Sequence, residues 1–153
     1  MIRTLLALCL ALVACEADQA DIDTGDPDEL PDLAGSYMAS ALVEPEGCDA
    51  FPEADPTWLA GPLEITGAAP ALTFGFSEGA VLTGDADAAF TFTAAGTVTD
   101  GATDWVVDVG GLAFLGDSGW NLDGDMVAEV SDSTSGTATC TLSGRLEAVQ
   151  DPP

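Results

Sequence analysis

The side chains that could do chemistry in this chain are almost all carboxylates. The sequence contains 27 Asp and Glu residues, no His and no Lys. A Ser-His-Asp triad, a Cys-His pair, a Lys Schiff base and a His-based zinc site are therefore excluded. The catalytic chemistry that remains is a pair of carboxylates acting as general acid and general base, as in glycoside hydrolysis.

Carboxylate and amide oxygens are also the ligands that calcium prefers. The candidate calcium ligands are Asp117, Asn121, Asp123 and Asp125, with Asp85 and Asp87 as a second group. The strand pattern described below places Asp123 and Asp125 on a solvent face, where carboxylates are ordinary. A solvated acidic surface is therefore the alternative to a weak calcium site and to a hydrolase.

Arg145 is the only basic side chain after Cys15. It could anchor an anionic ligand. Symmetric pairing of the last two predicted strands instead places it opposite Asp123, and opposite charges across a strand pair stabilise one another. We therefore expect a structural ion pair between Arg145 and Asp123.

Two cysteines, Cys48 and Cys140, lie in the C-terminal four-fifths of the chain. In an oxidising compartment two such thiols are expected to form one disulfide. A reactive thiol or a metal ligand is the alternative, which the absence of His makes less favourable.

The N-terminus has the layout of a secretory signal: Arg3, an apolar run over residues 5–13, and the small residue Ala14 before Cys15. The run is too short for a transmembrane helix, which needs about 20 apolar residues. Leu12-Val13-Ala14-Cys15 resembles the lipobox of bacterial lipoproteins. That resemblance implies cleavage before Cys15, removal of residues 1–14, and acylation of Cys15. A plain secretory signal is the alternative.

Residues 15–31 are expected to form the acylated cysteine and a flexible acidic tether. Residues 16–31 hold seven acids and no aromatic side chain, a composition that cannot bury a core. After Cys15 one base faces 27 acids, a side-chain charge of −26. This charge excludes nucleic acid and anionic headgroups as partners and favours cations and basic proteins.

Residues 32–153 are expected to form one all-β domain. Even positions from 120 to 130 and from 138 to 148 are mostly apolar, and odd positions are mostly polar, which predicts two strands that share an inner face. Pairing them about residues 133–136 sets Met126 opposite Leu142 and Gly124 opposite Gly144. Further strands are predicted at 36–43, 63–66, 72–77, 80–83, 89–94, 97–99, 105–109 and 112–115, with a loop containing one helical turn at 51–60.

Eight to ten short strands predict an antiparallel up-and-down barrel. Gly35-Ser36-Tyr37 and the final strand with Arg145 resemble lipocalin-like barrels, which implies that the last strand pairs with the first. An immunoglobulin-like sandwich is the alternative. Three tryptophans, Trp58, Trp105 and Trp120, are expected in the core, although they could line a pocket for an apolar or sugar ligand.

Together these patterns predict a lipoprotein of the bacterial cell envelope, in the outer membrane or at the cell surface rather than in the inner membrane, although Glu16 does not decide between them. The domain is expected to be a non-enzymatic structural or interaction module that needs no cofactor. Its expected partners are the membrane, through the lipid anchor, and an envelope protein. A carrier of a small apolar ligand or calcium is the alternative, and a carboxylate-pair hydrolase is the second alternative.

Overall fold

A computed structural model describes residues 30–46, 48, 56–135 and 138–152 of the protein. Eight antiparallel strands form a closed barrel in which each strand pairs with the next and β8 pairs with β1. The predicted up-and-down barrel is therefore confirmed, and the sandwich alternative is wrong. The strands are β1 (Gly35–Glu46), β2 (Gly61–Ala68), β3 (Ala71–Phe76), β4 (Val81–Ala86), β5 (Thr91–Asp100), β6 (Thr103–Gly116), β7 (Gly119–Asp132) and β8 (Ala138–Gln150).

Two pairs of predicted short strands are single long strands in the structure. The segments predicted at 89–94 and 97–99 join in β5, and those at 105–109 and 112–115 join in β6. The glycines between them, Gly96 and the pair Gly110-Gly111, do not make turns. They lie inside paired strands, where the missing side chain lets a strand bend or approach its neighbour closely.

The register of the last hairpin differs from the prediction by two residues. Met126 faces Gly144 rather than Leu142, because the hairpin connection is displaced and the ladder is irregular at Val130/Ser131. A shift of two residues keeps every side chain on its own face, because the side-chain period of a strand is two. The predicted inner face is therefore correct although the pairing was wrong.

The side chains buried inside the barrel are apolar, and none of the described polar or charged residues is buried. Phe74 and Phe92 pack near the middle with ring centroids 6.2 Å apart.

We call one end of the barrel the disulfide end, where Cys48 joins Cys140 and the 3₁₀ turn Thr57–Leu59 buries Trp58 and Leu59. This turn matches the helical turn predicted within residues 51–60, of which residues 51–55 lie outside the described residues.

We call the other end the tether end, because the chain enters β1 there. Leu33 is fully buried at this end, and the hydroxyl of Tyr37 donates a 2.8 Å hydrogen bond to the Leu33 carbonyl. Burial raises the pKa of Tyr37 far above its usual value, so the hydroxyl stays a donor. Cys15, the signal and residues 15–29 of the tether lie outside the described residues. Within the described part, no helix is both long and apolar enough to cross a bilayer.

Two adjacent glycines in β6 provide a test of this packing. A Cβ at Gly111 would overlap the backbone of Asp123 and Gly124 on β7, whereas a Cβ at Gly110 would lie 3.9 Å from the carbonyl oxygen of Phe92. We expect Gly111→Ala to push the strands apart and lower the free energy of unfolding by about 1–3 kcal/mol. Gly110→Ala should change it by less than about 0.5 kcal/mol. Urea unfolding followed by circular dichroism measures both, and equal effects would contradict the close approach of β6 and β7.

Candidate functional site

The lone basic residue of the domain, Arg145, makes a bidentate ion pair on the outer face of the barrel. Arg145 on β8 donates from Nε to Oδ1 of Asp123 at 2.6 Å, and its terminal nitrogen Nη2 donates a second hydrogen bond to Oδ2 of Asp123. The predicted partners are therefore brought together, but not directly across the ladder. Arg145 faces Asp125, and Asp123 faces Glu147, so the pair runs diagonally.

The surroundings of this pair carry excess negative charge. Nε of Arg145 also lies 3.3 Å from Oε1 of Glu147, and Asp125 faces Arg145 across the strands. One guanidinium thus contacts two carboxylates and has a third on the facing residue, which leaves little attraction for an anionic ligand. A surface depression of about 280 Å³ lies beside the pair, and its lining also includes Gly110, Gly111, Leu112 and Gly124.

The ion pair predicts a small, pH-dependent contribution to stability. The hydrogen bond from Arg145 lowers the pKa of Asp123 in the folded protein, whereas the pKa of an Asp in the unfolded chain is about 3.9. Since the folded pKa is the lower one, the contribution is present above about pH 4 and is lost as the pH falls through the folded pKa. We expect Asp123→Asn to lower Tm by only a few degrees at pH 7, because exposed pairs contribute little, and by progressively less below about pH 4.

A double-mutant cycle separates this pairing from other effects of the substitutions. Asp123→Asn, Arg145→Gln and the double variant are compared by thermal unfolding at pH 7 and at pH 3. The pairing predicts that the two single effects are not additive at pH 7 and approach additivity in acid. Additive effects at both pH values would contradict it.

The candidate calcium ligands are not gathered around a point. Asp117 lies in the turn between β6 and β7, while Asn121, Asp123 and Asp125 follow one another on the outer face of β7. Alternate residues on a strand are about 7 Å apart, so these side chains form a line. Among the described residues, no three Asp, Glu, Cys or His side chains are grouped so that they could hold a metal ion.

The second candidate group has structural hydrogen bonds instead. Oδ1 of Asp85 accepts a 2.9 Å bond from the hydroxyl of Thr93 on the neighbouring strand. Oδ1 of Asp87 accepts from the backbone N–H groups of Ala89 and Thr91, both at 2.9 Å. Such an Asx turn shapes the loop between β4 and β5. Oδ1 of Asp132 likewise accepts hydrogen bonds from the backbone N–H groups of Thr134 and Ser135 in the loop after β7. These hydrogen bonds shape loops and do not indicate a ligand site.

The three tryptophans divide between core and surface. Trp58 and Trp105 are buried with their rings edge to face, 6.1 Å apart, and Trp58 meets Phe76 in the same way. Trp120 is only partly buried, at the tether end, and its ring lies 5.8 Å from that of Phe90. The core interpretation therefore fits Trp58 and Trp105, whereas Trp120 belongs to the rim of the barrel.

An exposed apolar surface around Trp120 was missed by the sequence reasoning. Leu115, Leu112 and Phe114 are 72%, 58% and 51% exposed. Leu112 and Phe114 occupy outward positions of β6, so apolar residues at solvent-facing positions were the signal that could have identified this surface. They become significant only when neighbouring strands place other apolar side chains beside them.

Comparison with known proteins adds nothing to these observations, because no protein-family model, curated protein or solved structure matches the chain. The eight-stranded closed barrel is the architecture that the lipocalin-like resemblance of Gly35-Ser36-Tyr37 implies. A fold of this kind does not define an activity. The function has to be argued from the residues themselves.

Proposed function

We propose that this protein is a lipoprotein of the bacterial envelope, acylated at Cys15, that holds its barrel at the outer membrane or cell surface as a non-enzymatic structural or interaction module. The lipobox-like Leu12-Val13-Ala14-Cys15 after an apolar run supports the anchor. Anchoring by two or more acyl chains is durable, whereas a single chain binds only marginally. The Cys48–Cys140 disulfide supports the location, because such bridges persist in oxidising compartments.

The observation that carries the proposed role of the domain is the set of apolar side chains buried inside the barrel. Aromatic rings occupy its middle and its disulfide end, and Leu33 and Tyr37 occupy its tether end. A carrier needs an internal cavity for its ligand. A barrel packed with its own side chains can offer a partner only its outer surface, its ends and its charge.

The hydrolase alternative has little support for a related reason. Acid–base catalysis by two carboxylates requires both in one cleft, about 5–10 Å apart. No described carboxylate is buried in the barrel. Both carboxylate oxygens of Asp123 already accept hydrogen bonds from Arg145. The calcium alternative likewise lacks a convergent set of oxygens among the described side chains.

Enlarging an interior side chain tests whether the barrel is full. Ala128 is fully buried on β7, and its neighbour Val127 points outward. In a filled barrel, Ala128→Leu has no room and should lower the free energy of unfolding by about 1–3 kcal/mol. Val127→Leu, the matched outward control, should change it by less than about 0.5 kcal/mol. Denaturant unfolding of both variants is the measurement. An Ala128→Leu variant as stable as the wild type would indicate spare internal volume and favour the carrier.

A further inference from the structure

Six exposed apolar side chains gather at the tether end of the barrel. We call them the apolar rim: Met38, Phe90, Leu112, Phe114, Leu115 and Val149. Exposed apolar residues scattered singly are normal on protein surfaces, but a contiguous patch marks a surface that something else covers.

The register of the strands places members of the rim near one another on neighbouring strands. Met38 on β1 faces Val149 on β8, and Val149 and Phe114 both face Asn121 on the strand between them. Leu112 lies two residues before Phe114 on the same face of β6. The rim therefore crosses β1, β8 and β6 with one polar side chain, Asn121, interposed.

The remaining members extend the rim over the end of the barrel. Leu115 faces Trp120 in the next-to-last pair of the β6–β7 ladder, and the ring of Phe90 packs against Trp120. The carbonyl of Phe90 accepts a 2.8 Å hydrogen bond from the N–H of Ala113, which fixes this loop against β6. Phe90 has φ +60, a conformation that a bulky residue rarely adopts. The aromatic pair is thus held at the mouth of the barrel rather than inside it.

The chain outside the described residues places the rim next to the proposed anchor. Leu30 is the first described residue, and it lies five residues before β1 begins at Gly35 at the tether end. Only residues 16–29 separate it from Cys15, and fourteen residues span at most about 50 Å even when fully extended. The tether end is therefore kept within reach of the bilayer.

The negative charge of the tether end restricts which lipid headgroups this end can contact. Asp32, Asp117 and Asp151 are exposed at the tether end, and Arg145 is the only base among the described residues. Anionic headgroups would repel this end, whereas zwitterionic headgroups would not. Aromatic and aliphatic side chains, Trp above all, favour the region between headgroups and acyl chains.

From these observations we infer that the apolar rim rests on the bilayer that holds the anchor, with Trp120 among zwitterionic headgroups. This inference rests on the proposed lipid anchor, since the tether supplies the proximity. It orients the barrel with the tether end toward the membrane and the disulfide end toward partners.

Tryptophan quenching by brominated lipid tests the orientation, because Trp58 and Trp105 are buried in the barrel. The mature acylated protein is reconstituted into phosphatidylcholine vesicles whose acyl chains carry bromine near the headgroup. We expect quenching of the fraction of emission that Trp120→Phe removes, and none in that variant. The double variant Phe114→Ser and Leu115→Ser should reduce the quenching at least about fivefold, because it removes apolar area from the contact. Leu42→Ser, an exposed apolar position outside the rim, is the control and should leave quenching unchanged.

Charge gives a second readout. Replacing half of the lipid by phosphatidylglycerol should weaken the quenching, and raised salt should restore it by screening. Absence of quenching in wild type, or quenching that the rim substitutions leave intact, would overturn the inference. So would crosslinking of wild type into dimers through the rim, which would assign this surface to a second copy of the chain.

The intact mass of the same sample separates this inference from the proposed function. If Cys15 carries acyl chains and Trp120 is not quenched, only the inference about the rim fails. If the acyl chains are absent, the proposed anchor fails, and brominated vesicles are added to the unacylated protein. Quenching of Trp120 then still supports the rim as a membrane-binding surface, and its absence overturns that as well.

Discussion

Replacing Cys15 by serine should abolish acylation of the protein completely. Acyl transfer of the lipobox type needs a sulfur nucleophile, and a thiolate is far more reactive than a neutral hydroxyl. The loss should be total rather than partial, because every other cysteine of the chain is accounted for. Cys9 follows Leu8 rather than a small residue, so its surroundings do not resemble a lipobox, and Cys48 is bonded to Cys140.

Metabolic labelling with palmitate, followed by the mass of the polypeptide, measures this effect. Wild type should incorporate label and begin at Cys15. The Cys15→Ser variant should incorporate none and should not be cut at this position. Cys9→Ser is the matched control, because it removes a thiol from the same segment and should retain full labelling. Label that persists in Cys15→Ser, or that disappears in Cys9→Ser, would refute the assignment.

Removing the bridge between Cys48 and Cys140 should lower the free energy of unfolding by about 4–5 kcal/mol in the chain-entropy model. The two cysteines are 92 residues apart in sequence, and their Cα atoms are 4.9 Å apart. The bridge therefore constrains most of the unfolded domain. This is a large share of the stability of a typical domain, about 5–15 kcal/mol. The double substitution Cys48→Ala and Cys140→Ala tests it without leaving a free thiol.

Guanidinium unfolding with and without dithiothreitol supplies the control for this prediction. Reductant should shift the wild-type transition to nearly the midpoint of the double variant and should leave the double variant itself unchanged. A change below about 1 kcal/mol in the free energy of unfolding would show that the native barrel gains little stability from the bridge. Pairing of β1 with β8 would then be sufficient to keep the barrel closed.

The inner faces of the strands could be predicted from the sequence, whereas their exact pairing could not. Alternation along β7 and β8 places Met126, Ala128 and Leu142 inside, and all three are buried. The register depends on where the connection turns and on the irregularity at Val130/Ser131. Because a two-residue shift leaves the pattern of faces unchanged, the pattern carries no information about it.

The number of strands was uncertain for a different reason. Glycine marks both a turn between strands and a bend within one. The predicted strands 105–109 and 112–115 are separated at Gly110-Gly111, but in the structure Gly111 approaches the backbone of β7 so closely that only glycine fits. That requirement comes from a neighbouring strand and is absent from the local sequence.

The charged and apolar surfaces also differ in how far they could be predicted. Arg145 and Asp123 were matched through a strand register that was wrong by two residues, and they still meet because Arg145, which faces Asp125, reaches Asp123 diagonally. The apolar rim was missed because Met38, Phe90 and Phe114 lie far apart in sequence. Only the closed barrel places them at one end.

The mass of the intact protein, extracted from bacterial membranes in a gentle detergent without chelator, tests the central claim most directly. We expect a polypeptide that begins at Cys15, carries two or three acyl chains, and lacks two hydrogens for the disulfide. We also expect no further mass, because the proposed module has its interior occupied by its own apolar side chains. A chain without acyl groups would contradict the anchor, and a bound apolar molecule or calcium ion would contradict the filled module.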